Sequence, residues 1–267
     1  MKKAFPCFAC LLLMLNRPVC AQSLDSMALS QQQSDSVSSL IKWSTPPQKR
    51  VFPYKQFIVP ATMLVYGITS LKYEGFQSIN HKVKEEVYTE RCNKQPMHID
   101  NYLLYAPAVA VYGLNAMGIK GKNNFRDRTI LYAMSEMIQS AVVFPVKKFA
   151  AENRPDASNT LSFPSGHTAC AFASAEFMRQ EYKDVSPWYG VAGYAAAAST
   201  GFLRMYNNKH WFSDVVAGAG IGIMSTKLAY WIYPTIKRAL FKDKDVSTVV
   251  MPMYQDGALA VGFVHHF

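Results

Sequence analysis

The chain has 267 residues, half of them apolar and 17% charged, with a formal net charge of +10 and a pI near 9.3. Half apolar is enough to bury a sizeable core in one or two domains. The positive balance suits an anionic partner, but the chain has no Lys/Arg run with interleaved aromatics and no zinc-finger spacing, so nucleic acid is excluded as the leading partner class.

Residues 1–21 read as a signal peptide. Lys2 and Lys3 form the basic start, residues 4–15 the apolar centre, and Val19-Cys20-Ala21 a small-residue cleavage site. The expected location is therefore exported: periplasmic, or membrane-associated with the functional residues facing the periplasm. Cleavage removes Cys7, Cys10 and Cys20 and leaves Cys92 and Cys170 in a disulfide-permissive compartment. Their spacing alone does not decide whether they pair. Residues 22–54 are polar, with Gln31-Gln32-Gln33 and Pro46-Pro47, and read as a leader and linker.

From residue 55 to 240 the pattern is a helical domain. Helix-length apolar stretches cover residues 57–71, 102–119, 129–146, 168–178, 188–203 and 211–233, separated by charged or Gly/Asn-rich connectors. No βαβ rhythm interrupts them, so the expected fold class is all-α, a bundle of about six core helices. Only 102–119 is free of charge at near-spanning length, since 129–146 carries Glu136 and Gln139, and 211–233 carries Asp214 and Lys227. The expectation is a bundle facing the periplasm, soluble or membrane-associated, in preference to a multispan protein. Residues 241–267 form a tail in which two β-patterned runs flank Gln255-Asp256-Gly257, a β-hairpin signal.

Chemistry concentrates between Lys147 and Asp214, in three islands. Pro164-Ser165-Gly166-His167 immediately precedes an apolar run, so it sits at an expected helix N-terminus. There the unpaired N–H groups and the positive end of the dipole favour an anion. Gly166 lets backbone approach a phosphate, and Ser165 offers a hydroxyl. His210 and Asp214 stand four apart, on one helical face, so that Asp214 can hold one ring nitrogen while the other attacks. Arg204, Lys147 and Arg154 supply cations, and Pro155 fixes how Arg154 is presented. Fixed cations facing a transferring phosphoryl group are the largest expected catalytic contribution.

Lys147 with Arg154-Pro155, then Pro164-Ser165-Gly166-His167, then Arg204 with His210 and Asp214 resembles the signature of the type 2 phosphatidic acid phosphatase / vanadium-dependent haloperoxidase superfamily. Leu203 departs from it, standing where the family often has serine, at a position with no catalytic group. The resemblance implies that His210 is the nucleophile that becomes phosphohistidine, that Asp214 orients it, and that His167 is the general acid and then base. It implies that Lys147, Arg154, Ser165, Gly166 and Arg204 hold the phosphate oxygens. No cofactor and no metal is implied, and vanadate is expected as an inhibitor. The expected activity is a metal-independent phosphatase on a phosphomonoester or pyrophosphate of a lipid, or alternatively on small soluble phosphoesters. A haloperoxidase or a non-catalytic phospholipid-binding module are the remaining readings.

Overall fold

The computed structural model describes residues 51–90, 95–241, 248–255 and 258–265, with side chains up to residue 239. The expected signal peptide, most of the polar leader and Cys92 lie outside these residues. A 3₁₀ turn, Tyr54–Phe57, leads into α1 (Ile58–Ser70) and α2 (Glu74–Lys84), which a π-helical turn, Glu85–Thr89, extends. Then come α3 (Asp100–Leu103), α4 (Ala106–Ala116), α5 (Phe125–Ala150), α6 (Gly166–Tyr182), α7 (Pro187–Tyr206) and α8 (Phe212–Phe241). An antiparallel hairpin closes the chain, β1 (Thr248–Gln255) with β2 (Ala258–His265), pairing Gln255 with Ala258 at the turn and Thr248 with His265 at the open end.

The fold is all-α with this terminal hairpin, and each apolar stretch of the sequence contributes helix. Pro60 is tolerated because it falls in the first turn of α1, where its missing N–H has no carbonyl to serve. At the start of α5, Asn124 Oδ1 accepts from the Asp127 N–H at 2.8 Å, and Ala151, at φ 45°, ends the helix. Two expectations are corrected. Residues 102–119 do not form one near-spanning helix. They divide between α3 and α4, and the 11 residues of α4 rise only about 16 Å. The described helices long and apolar enough to cross a membrane are α5 and α8, each with a mean hydropathy of 1.3 over its best window. Their polar residues count for less than the sequence suggests, because Glu136 and Gln139 turn into a cavity and Asp214 is fully buried.

Helices α6 and α8 form the centre. The first packs on α7, α8, α4 and α5, and the second on α6, α1 and α5. Their crossing is close because α8 presents glycine. A Cβ on Gly222 would stand 2.2 Å from Ala169 O, and one on Gly218 would stand 2.5 Å from Ser165 O. Small residues on both faces, Gly218 and Gly222 against Ala169 and Ala173, bring the backbones together. This crossing sets the N-termini of α6 and α8 side by side, and a backbone bond fastens them: the Ser165 N–H donates to Asp214 O at 3.0 Å.

The opposite end of the bundle is tied by Glu181 near the end of α6. Its carboxylate accepts from Tyr230 Oη and Asn123 Nδ2, each at 2.5 Å, and pairs with Arg128 at 3.4 Å. The bundle is thus pinned at one end by a buried carboxylate network, and at the other it opens into the cavity described next.

Candidate active site

At that open end, helix termini converge. The C-terminal ends of α5 and α7 bring Lys147 and Arg204. The N-termini of α6 and α8 bring His167, with His210 just ahead of α8, and the connection after α5 brings Arg154. Lys147, Arg154, Gly166, His167, Arg204 and His210 line one cavity of about 480 Å³. The remaining two expected site residues, Ser165 and Asp214, stand behind this wall, each with no exposed surface.

His210 is buried, and its Nδ1 lies 3.5 Å from Asp214 Oδ2. That is an ion-pair separation, longer than a good hydrogen bond. Asp214 Oδ2 is already occupied, accepting from Ser162 Oγ at 2.5 Å and from the Trp211 N–H at 2.9 Å. The latter bond runs from a third-position carboxylate back to the residue before the helix, half of a capping box. Asn80 on α2 completes the cap: its Oδ1 accepts from the Ser213 N–H at 3.0 Å and its Nδ2 donates to Ser213 Oγ at 2.8 Å. Burial pulls His210 down to about 4, although Asp214 works in the other direction. His210 is therefore a neutral imidazole at neutral pH.

The cations are held from behind. Lys147 Nζ donates to Leu161 O at 2.9 Å and to Ser162 O at 3.2 Å, clamping the loop that leads into α6. Arg204 Nη1 donates to buried Asp100 Oδ2 at 2.6 Å. The Nε atoms of Arg154 and Arg204 are buried with no hydrogen-bond partner among the described residues. Arg154 is drawn below its usual value by burial and then by Arg204. The two guanidinium groups thus repel one another, a strain that an anion between them would relieve.

His167 is half-buried at the start of α6, its Nε2 3.0 Å from Asn101 Oδ1. Burial and the neighbouring Arg204 push it down to about 4. Gly166 beside it leaves room that the protein does not need, since an added Cβ would meet Val143 and Lys147 only at 3.7 and 3.9 Å. Ser165 does not reach the cavity; its Oγ accepts from Thr168 Oγ1 at 2.9 Å.

Sequence reasoning missed Asp100, Asn101, Ser162 and Glu152. Asp100 and Asn101 open a four-residue helix some fifty residues upstream of the motifs, and nothing in their local pattern marks them. Ser162 lies inside the motif region but has no distinctive spacing. Leu104, Tyr105, Val143 and Phe144 also line the cavity, beside the polar Glu136, Gln139 and Ser140. The cations thus adjoin a wall of mixed apolar and polar side chains.

Residues 145–238 match the model of the PAP2 superfamily. The chain carries a PAP2 superfamily domain. The matched PAP2 domain begins just before Lys147 and runs past Asp214, so it encloses every candidate catalytic and phosphate-binding residue. Over 245 residues the chain is 30% identical to a lipid A 1-phosphatase of Porphyromonas gingivalis, covering 90% of this chain and 51% of that protein. The chain thus spans about half the length of the curated relative it matches. The PAP2-domain chain is also similar to two solved structures. One is Aquifex aeolicus LpxE, at 21% identity and TM-score 0.44, covering 57% of this chain and 94% of the other. The other is a transmembrane PAP2-type phosphatidylglycerolphosphate phosphatase from Bacillus subtilis, at 19% identity and TM-score 0.49, covering 67% and 98%.

Proposed function

We propose that this protein is a membrane-associated lipid phosphatase that cleaves a phosphomonoester or pyrophosphate through a phosphohistidine, without a metal, on the periplasmic side. The observation that carries this reading is the convergence of Lys147, Arg154 and Arg204 with two buried or half-buried imidazoles on one cavity. The lipid A 1-phosphatase relative supports a lipid phosphate as substrate, and so do the apolar side chains beside the cations.

In the proposed cycle the three cations and the α6 N-terminus bind the phosphate oxygens. His210 keeps its proton on Nδ1, toward Asp214, and attacks phosphorus through Nε2. As the P–O bond breaks, His167 gives the leaving oxygen a proton. His167 then takes a proton from water, whose oxygen attacks the phosphohistidine and releases phosphate. A bound phosphate would raise His167 from its depressed value, because the anion offsets Arg204 and Lys147. The same charge arrangement accounts for vanadate as an expected inhibitor.

Exposed apolar side chains support the membrane contact. On α5, Met137, Phe144 and Phe149 are 70%, 67% and 89% exposed, and on α1 Val59 and Val65 are 65% and 58% exposed. Such surface on α5, a helix long enough to cross a bilayer, fits lipid. With the site at the helix ends, the phosphate would lie at the headgroup level while the lipid body follows the apolar side chains.

The decisive experiment uses the purified full chain in detergent with chelator present. Inorganic phosphate released from a long-chain lipid phosphate, and suppressed by vanadate, supports the proposal. Strict dependence on an added divalent cation would overturn the metal-free mechanism, and a preference for small soluble phosphoesters would overturn the lipid assignment.

A further inference from the structure

Asp214 leaves a question that the proposed cycle does not answer. Its Oδ2 is fully used by Ser162 and Trp211, yet Oδ1 is buried without a partner among the described residues. The Oε2 of Glu152 is in the same state. Ser162 links the two residues, its N–H donating to Glu152 O and its Oγ to Asp214 Oδ2, and the Asp214 charge bears on the Glu152 carboxyl group. Two buried carboxylate oxygens without partners are costly, whereas a single proton shared between them satisfies both.

We propose that Glu152 is a positioning residue, a protonated carboxyl group that donates its hydrogen bond to Asp214 Oδ1 and so fixes the carboxylate that faces His210. The proposal rests on the reading of His210 as nucleophile.

Glu152 is well placed to do this. Its backbone is locked, because Ser162 N–H donates to Glu152 O at 3.0 Å and Trp211 Nε1 donates to the next carbonyl, Asn153 O, at 2.8 Å. Glu152 lines a second cavity of about 350 Å³, shared with Asn80, His81 and Trp211 and distinct from the one lined by the cations. Burial, and then the Asp214 charge, raise Glu152 far above the usual carboxylate range, so that it holds its proton at neutral pH. Other titratable groups surround the pair. His81 shares the Glu152 cavity, and Lys84 stands over Trp211 at 5.2 Å and donates to Pro155 O. Lys147 and His210 face Asp214 from the cradle side. With its proton, Glu152 leaves Asp214 as the single negative charge beside His210. Without it, two carboxylates repel, and Asp214 is pushed off its line to Nδ1.

The test compares wild type, E152Q and E152A as full chains in detergent, each checked for folding by its thermal transition. Glutamine keeps a neutral donor at this position and cannot ionise. In wild type, the alkaline fall in kcat is expected to combine the loss of the Glu152 proton with that of His167. In E152Q the fall becomes shallower, keeping only the His167 ionisation, while neutral-pH kcat stays within about threefold of wild type. In E152A neutral-pH kcat drops by about tenfold or more, with KM little changed. An alkaline fall as steep in E152Q as in wild type, or an E152Q as impaired as E152A, would overturn the proposal. Activity is not the only readout. The infrared spectrum of wild type minus E152Q at neutral pH is expected to show the carbonyl band of a protonated carboxyl group, and its absence would overturn the proposal even if the protein proves not to be a phosphatase. Conversely, a band without any phosphoester hydrolysis would refute the functional reading while leaving the shared proton in place.

Discussion

Arg204 Nη1 and Asp100 Oδ2 meet at 2.6 Å across 104 residues of chain, both side chains almost wholly buried. The pair holds one face of the guanidinium, while Nε remains without a partner among the described residues beside the cavity. Asp100 therefore acts as the handle by which the fold aims Arg204. Asp100→Ala leaves a buried cation unpaired, a change of about 3 kcal/mol or more in stability. It also frees Arg204 to swing, so KM is expected to rise as well. Thermal unfolding in detergent and steady-state kinetics measure the two effects. An unchanged KM would sink the aiming role.

The two histidines are expected to fail at different steps. His210→Ala removes the attacking nitrogen, and turnover falls by about a thousandfold or more with no phosphoenzyme trapped by rapid quench. His167→Ala slows leaving-group departure and water attack. With a substrate carrying a good leaving group, it still forms phosphohistidine and accumulates it. A labelled His167→Ala enzyme and an unlabelled His210→Ala enzyme is the diagnostic pair. The reverse pattern would exchange their roles.

Both imidazoles sit near 4 in the fold, against about 6.5 when unfolded. Between those values the unfolded chain binds more protons than the fold does. The stability these neutral histidines sustain is complete above pH 6.5 and is lost as pH falls toward 4. Melting temperature is accordingly expected to decline over that interval. For activity the free enzyme holds little protonated His167 at neutral pH, so the basic limb of kcat/KM is expected at lower pH than that of kcat, where bound phosphate has raised the group. Coincident limbs would count against His167 as the acid.

Two glycines separate ligand space from packing space. Gly166→Ala meets only ordinary contacts within the fold, so the melting temperature is expected to hold while KM for the phosphate ester rises severalfold. Gly222→Val forces side-chain carbon into Ala169 O, a backbone atom that cannot step aside. It is expected to abolish folding or lower stability by several kcal/mol. Thermal melts of the two variants should differ sharply.

The motif region was the most legible part of the chain, because phosphate chemistry demands particular residue types and those types stand at recognisable intervals. Helix α2 leaves no mark in the apolar pattern. Its run Glu74–Lys84 is charged, so a search for apolar stretches passes over it, yet its Asn80 caps α8. Ser165 shows a different gap. Its place at a helix start was readable, but only the close crossing with α8 reveals that its hydroxyl turns inward to Thr168. The spanning lengths escape a reading of composition, because a sequence cannot say which way Glu136 or Asp214 points. Asp100, Asn101 and Glu152 gain their partners only through tertiary contact, and their neighbours in sequence carry no trace of it.

The bond from the Ser165 N–H to Asp214 O has a practical consequence. It joins the loops of the second and third motifs through main chain alone, so no side-chain replacement removes it. An inactive His210→Ala protein can therefore retain a formed anion cradle beside apolar side chains. Such a protein, extracted gently from membranes of the native host, becomes a bait. Mass spectrometry of the lipid it retains would read the physiological substrate directly from the cell.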